Sequence, residues 1–422
     1  MIERIRLKYQ ENFIWLYPIK YILTGFLLAI FMILVDNKFT FIHNYLPKII
    51  LTSRDFGQSI LISLLTAILS MTIFTFSTTM VVLTMYSSQF SPRVVGNFLK
   101  DKITLRGLGI FIGGFFYMIT ALLFMRRSSE NNEVISSTVG MIYSMVCLLY
   151  FVLFIYKVSN MVQATNLISK LEKEASITID QAIENFKDVN FIRDYEIKGY
   201  NITKNIFAEK SGYLQNIDYE EVKNMMNKEG IENYNIEILI NNGSYVLKDR
   251  MMAKVHLKKD YDYDFNNINS IFVIEDNRMI TYDYLLSLEK LVDIALRSLS
   301  PGINDPNTAV ECINILGNLL VRLSKIDGNY TYIRDKESNG EIVFPYFSFK
   351  RDLYLVYYQV VIYGAQDLNV IVNLIRVLKE LLNNATSENR KYIREFIDFT
   401  YNKTKDNFKE NYELDILKSI YK

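Results

Sequence analysis

The sequence predicts a membrane protein in which a four-helix α-helical transmembrane domain precedes an α+β cytoplasmic domain, itself a small mixed β module plus a helical bundle. Three observations predict it. Among the 422 residues, no Asp or Glu occurs between Phe56 and Lys100, and Arg93 is the only charge there before Lys100. Apolar stretches of the ~18 or more residues needed to cross about 30 Å of hydrocarbon occur only in the opening part. From about Lys157 onward, charges recur every few residues, as on a solvated surface. The expected division is 1–158 transmembrane domain, 159–190 helical stalk, 191–276 β-rich module and 277–422 mainly helical domain.

The first helix is expected over about Phe13 to Val35, with Trp15 and Tyr17 as interfacial anchors and Lys20 snorkelling to the interface. Its length and the lack of a small-residue cleavage pattern mark it as a retained anchor rather than a secretory signal. Helix two, about Ser59 to Tyr86, is long enough to require tilt or projection beyond the bilayer. Helices three and four are expected over about Leu105 to Phe124 and Ile135 to Tyr156.

Basic residues set the orientation. Arg4, Arg6 and Lys8 precede helix one; Arg93, Lys100, Lys102 and Arg106 lie between helices two and three; Lys157, Lys170 and Lys173 follow helix four. The alternate loops hold Lys38, Lys48 and Arg54, then Arg126 and Arg127. Both termini are therefore expected in the cytoplasm, with the chain held as a multi-pass protein in the plasma membrane.

Helix two carries the chemistry. Ser59, Ser63, Thr66, Ser70, Ser77 and Thr84 recur at spacings of three, four or seven, along one helical face. Such a stripe can line a hydrated path without burying charge. Alternatively, its hydroxyls bond to their own backbone within close helix contacts. Thr72, Thr75 and Thr79 add a second polar row. In helix three, Gly109 and Gly113, with Gly114, are the small residues four apart that let helices approach closely.

Beyond helix four, Val158, Met161, Thr165, Ile168, Glu172, Ala175, Ile179, Ala182 and Phe186 follow heptad-like steps. They fit either an oligomeric stalk or one amphipathic helix packed on its own domain. Strands are expected at Gly212–Asp218, Ile236–Ile240, Val246, Met251–Val255 and Ile271–Ile274, with a turn at Asn241-Asn242-Gly243 and a helix at Tyr219–Lys228. From Tyr282 the chain is mainly helical. Leu285, Leu288, Val292, Leu296 and Leu299 form one apolar face, and Val310, Ile313, Leu316 and Leu320 the next. Between them, Asp305 is a natural N-cap and Pro306 a natural first-turn residue. A hairpin is expected around Tyr330 to Phe344, and two or three helices over Arg351 to Tyr421.

Arg278, Asp283, Asn304 and Asp305 are the candidate ligand or interface residues, with helix capping as the competing reading for the Asp305 turn. The sequence Asp260-Tyr261-Asp262-Tyr263-Asp264 lacks the glycine and the terminal glutamate of a calcium loop. Two histidines, His43 and His256, and two isolated cysteines, Cys147 and Cys312, offer no metal spacing and fit a reducing compartment. No cofactor is expected. Phosphate-loop, serine-elbow, zinc-helix and dinucleotide motifs are missing, so no enzyme is expected. A net charge of +1 gives no support to nucleic-acid binding.

Two motifs carry a family resemblance. One is Ser87-Ser88-Gln89-Phe90-Ser91-Pro92-Arg93 with Phe98-Leu99-Lys100-Asp101; the other is Leu299-Ser300-Pro301-Gly302-Ile303-Asn304-Asp305-Pro306 with Thr308-Ala309. Weaker support comes from Gln163-Ala164, Ser211-Gly212-Tyr213 and Leu291–Leu296. Across nearly its whole length the chain resembles bacterial predicted membrane proteins of domain of unknown function family 2254; Asn307 departs where an aromatic is expected. The resemblance implies an integral membrane protein with a cytoplasmic C-terminal domain and brings no catalytic residues.

The functional expectation is an oligomeric ion channel or transport protein with a cytoplasmic gating or sensing domain. The alternative is a membrane-anchored sensor or scaffold whose cytoplasmic domain binds a small molecule or protein. Expected partners are the lipid bilayer, further copies of the chain, and ions or a small solute.

Overall fold

A computed structural model describes residues 2–39, 45, 47–90, 102–125, 133–184, 190–192, 195–278, 283–328, 330–345 and 348–422, with the side chains of 2–17, 89, 102 and 190–192 outside that description. Trp15, Tyr17, His43, Arg93, Arg126, Arg127 and the end of the first motif from Ser91 therefore lie outside it. The chain divides into two units, Met1–Leu167 and Ile168–Lys422.

The first unit holds helices α1 (Ile2–Asn37), α2 (Arg54–Met85), α3 (Lys102–Phe124) and α4 (Ser136–Met161). Each supplies most or all of a segment long and apolar enough to cross a membrane: Pro18–Asn37, Arg54–Ser88, Ile103–Phe124 and Ser136–Met161. The expected starts and ends agree within a few residues except at α1, where the helix begins well before Phe13. Pro18 lies inside it.

The glycines explain the tightest packing. A Cβ on Gly113 would stand 2.6 Å from the Tyr21 carbonyl oxygen, and one on Gly25 would stand 2.3 Å from the Gly113 carbonyl oxygen. Small residues thus bring α1 and α3 into backbone contact. A short ladder, β1 (Thr52–Ser53) with β2 (Glu133–Val134), ties the start of α2 to that of α4. Asp36 accepts hydrogen bonds from the Ile135 and Ser136 amides at 2.9 and 3.1 Å, satisfying groups at the start of α4. At its other end α2 widens into a π-turn, Tyr86–Phe90, whose buried Tyr86 hydroxyl donates to the Met161 carbonyl at 2.5 Å.

The boundary between the units falls within α5 (Ala164–Glu184), which follows a break at Val162–Gln163. Ile168, Leu171, Ala175 and Ile179 of α5 are buried. Three of its polar contacts fall on two helices of the same unit, α7 (Tyr284–Ser298) and α8 (Pro306–Leu323). Glu174 pairs with Lys290 at 3.6 Å, Thr178 bonds Ser287 at 3.3 Å, and Arg322 donates to Asp180 at 2.7 Å. The buried residues of this heptad-like seam thus lie on the face of α5 that also carries contacts to its own unit.

Two sheets follow. The larger runs β3 (Asn190–Ile192), β10 (Tyr330–Asp335), β11 (Gly340–Pro345), β6 (Tyr234–Ile238), β8 (Met251–Leu257) and β4 (Ile202–Phe207). The smaller is β7 (Tyr245–Val246), β5 (Gly212–Ile217) and β9 (Phe272–Glu275). Alternation buries Ile236, Ile238, Val255 and Ile342 with α6 (Tyr219–Lys228) and the inner residues of β5 and β9. Here the structure corrects the division drawn at 276/277. The hairpin β10–β11 enters the middle of the sheet because β11 pairs in parallel with β6, Ile342 opposite Ile236. A long-range parallel pairing leaves no local sequence signal.

The rest is helical: α7 and α8, then α9 (Phe349–Tyr363), α10 (Leu368–Asn384), α11 (Ser387–Thr404) and α12 (Asn411–Tyr421). The last stretch thus holds four helices rather than two or three. Asp367 and Thr386 cap α10 and α11 by accepting from Val370 and Asn389, which separates runs that read as continuous.

Candidate functional site

Two arrangements hold the candidate residues. The first is α2. At 100° per residue, Ser59, Ser63, Thr66, Ser70, Ser77 and Thr84 fall within a sector of about 60°. Every one of them is exposed. The buried residues of the same helix, Arg54, Gly57, Leu61, Ile68, Thr75, Thr79 and Val82, centre on the opposite side. Thr75 and Thr79 of the second polar row thus face inward, while the six-residue stripe faces out of the protomer. Phe56, Phe74 and Val81 flank it on one side and Ile62, Ile73 and Met80 on the other, all exposed.

Five of the stripe's six hydroxyls are satisfied on their own helix. Ser59, Ser63, Thr66, Ser70 and Thr84 donate to the carbonyls of Asp55, Ser59, Ile62, Thr66 and Met80, at 2.9–3.0 Å. This back-bonding lowers the cost of placing a hydroxyl away from water and leaves its oxygen lone pairs available.

The second arrangement is a polar node in the second unit, built where three helix or strand ends meet. Asp283 caps α7, accepting from the Leu286 amide at 3.2 Å, and Arg278 donates to it at 2.5 Å. Arg278 Nη1 also donates to both carboxylate oxygens of Glu289, at 3.0 and 2.8 Å. Gly243, in the left-handed region at φ 80°, lies over Asp283: a Cβ there would be 2.1 Å from Oδ2. The preceding Asn241 accepts from Arg351 Nη1 and donates to the Pro345 carbonyl, each at 2.9 Å, in the amide orientation that satisfies both. Tyr284 donates to Asp352 Oδ2 at 2.7 Å, and Asp352 is fully buried in the first turn of α9. Burial pushes the Asp352 carboxyl up to about 6, against the Tyr284 hydrogen bond and the Arg351 charge. Asp283 is raised too, by burial first, although Arg278 opposes it.

The structure therefore brings Arg278 and Asp283 together and separates them from Asn304 and Asp305. These pairs flank opposite ends of α7, a helix of fifteen residues, hence about 22 Å long. Asp305 caps α8, accepting from the Thr308 amide at 3.2 Å and its hydroxyl at 2.6 Å. Asn304 is exposed at φ 50°, completing a turn in which the amides of Ile303 and Asn304 both donate to Ser300. Capping accounts for every contact the structure gives this turn.

Sequence reasoning missed Asp352, Arg351, Tyr284 and Glu289. One signal was present: Asp352 stands among Phe349, Leu353, Val356 and Val360, on the apolar face of its helix. His256, on the polar side of the larger sheet, contacts Thr203 at 3.0 Å through Nδ1, and burial lowers its pKa while Glu237 opposes that shift. Among the described residues no group of three or more His, Cys, Asp or Glu could hold a metal ion.

Four apolar helices followed by a mixed helical and sheet region define a membrane-protein class. The chain belongs to the family described as predicted membrane protein (DUF2254), whose model matches residues 11–380. It is 24% identical over 327 residues to uncharacterized protein Mb1321c of Mycobacterium bovis, covering 75% of this chain and 62% of that protein. The same figures hold for uncharacterized protein Rv1290c of Mycobacterium tuberculosis. The chain thus spans less than two thirds of the length of these relatives. No solved structure matches it.

Proposed function

We propose that the protein is an oligomeric ion channel or transport protein of the plasma membrane, with α2 lining the path and the second unit acting in the cytoplasm as gate or sensor. One observation carries this reading: the hydroxyl stripe of α2 lies opposite the face that packs on the protomer, between two exposed apolar rows. Several copies could seal against one another through the apolar rows and leave the hydroxyls facing a shared lumen. Path width and lining dipoles would then set selectivity. The basic residues around α1 and between α2 and α3 support a reading with both termini inside.

A second reading, a membrane-anchored sensor, is favoured by the back-bonded hydroxyls, which tolerate lipid, and by the polar node. Recording from purified protein in planar bilayers separates the two. The channel reading expects unitary currents that change when Ser70 is replaced by a bulky residue; a silent bilayer across voltage, tension and ion composition contradicts it.

A further inference from the structure

A hydroxyl carries one proton to donate and two lone pairs that accept. At five of the six stripe positions of α2 that proton is spent one turn back. Ser59 gives it to the Asp55 carbonyl, Ser63 to Ser59, Thr66 to Ile62, Ser70 to Thr66 and Thr84 to Met80. Ser77, the sixth, is exposed and lies outside this set. What the stripe presents outward is therefore mostly oxygen lone pairs. A wall of acceptors replaces the hydration of a cation and gives an anion little to hold. From Ser59 to Thr84 the chain has no charged residue, so nothing along the wall repels a cation. That segment is about 38 Å long, enough to cross ~30 Å of hydrocarbon.

A charged group at the start of the helix points the same way. Asp55 lies in the first turn of α2, four residues before Ser59, and is exposed. At 100° per residue it stands about 20° from the edge of the stripe. Its neighbour Arg54 turns to the packed side and is buried. Copies of the chain assembled around the stripe would ring one mouth of the path with carboxylates and withhold the guanidinium. A carboxylate ring at a pore mouth draws cations in.

We propose that the α2 path passes small monovalent cations and excludes anions, Asp55 concentrating the cations at the mouth and the stripe oxygens replacing part of their hydration. This rests on the reading of α2 as the lining of a shared path. Neutral oxygens suit an ion that gives up water readily. Calcium or magnesium would call for carboxylate ligands along the wall, and the stretch from Ser59 to Thr84 has none.

The test uses the full chain in vesicles with Ser63→Cys, exposed in turn to a positively and a negatively charged methanethiosulfonate. Each rate is divided by the rate of the same reagent with a free thiol in solution. The cationic reagent should react at least tenfold faster after that correction. Asp55→Asn in the same background should cut the preference at least threefold, and so should about 1 M salt, which shortens the Debye length to ~3 Å. A thiol that neither reagent modifies contradicts the hydrated path and this proposal with it. A thiol that both modify at equal corrected rates overturns the cation preference and leaves the path standing. In planar bilayers the parent under a KCl gradient should reverse near the potassium potential; reversal at zero or near the chloride potential overturns the proposal. So does an Asp55→Asn protein that matches the parent in both reagent preference and reversal potential at low salt.

Discussion

Two glycines of α3 should respond to the same substitution with opposite signs. At Gly113 an added Cβ meets the Tyr21 carbonyl oxygen at 2.6 Å, the Tyr143 hydroxyl at 2.8 Å and the Tyr21 carbonyl carbon at 3.2 Å. Carbon prefers roughly 3.5 Å from a neighbouring heavy atom, so the α1 backbone must retreat by about 1 Å. Backbone cannot rotate away as a side chain can. Overpacking of this kind costs about 1–3 kcal/mol. Helix propensity returns at most ~1 kcal/mol when glycine becomes alanine. Gly113→Ala should therefore destabilise, by up to about 2 kcal/mol. At Gly107 nothing stands within 4 Å of the added carbon, so only the propensity gain of about 0.5–1 kcal/mol remains. Reversible unfolding in mixed micelles, followed through the single tryptophan, Trp15 on α1, reads both variants directly. If Gly113→Ala proves as stable as Gly107→Ala, the backbone contact between α1 and α3 is wrong.

Other outcomes follow from the second unit. The Asp352 carboxyl lies at about 6 in the fold against 3.8 when exposed, so the folded state holds its proton more tightly. The stability this adds is present below the unfolded value and is lost as pH rises through about 6, a change of roughly 3 kcal/mol. Asp352→Asn should flatten that dependence in a pH series of chemical denaturation and raise stability at neutral pH. A parent protein that is more stable at pH 7 than at pH 5, through this group, contradicts the assignment. Asp305→Ala should cost about 1 kcal/mol as a lost N-cap and leave any ligand response of the node intact. Loss of that response with unchanged stability would instead return the turn to the functional residues.

The apolar helices were legible because membrane spans need long uninterrupted composition, which any single sequence displays. Local strands and the helix Tyr219–Lys228 were legible for a similar reason: turn residues and alternation are short-range signals. Insertion of β10–β11 beside β6 was not, since a parallel register joins residues about a hundred positions apart. The node was half legible. Arg278 and Asp283 lie five residues apart, whereas Asn241 and Arg351 meet only through that same sheet and the helix start behind it. The direction of the α2 stripe was likewise a tertiary fact. Its spacing was visible in sequence, but which side of the helix the protomer would cover was not.

The central claim, that the Ser63–Ser70–Ser77 face of α2 meets water in the assembled protein, is tested most directly by cysteine accessibility. The native Cys147 and Cys312 are both buried, so introduced thiols dominate labelling. In intact membranes, Ser63→Cys, Ser70→Cys and Ser77→Cys should react with a membrane-impermeant methanethiosulfonate and change conductance, while Ile68→Cys on the packed face stays silent. If the three stripe positions are as unreactive as Ile68→Cys, the face looks into lipid or protein, and the account of α2 as the lining of a hydrated path is contradicted.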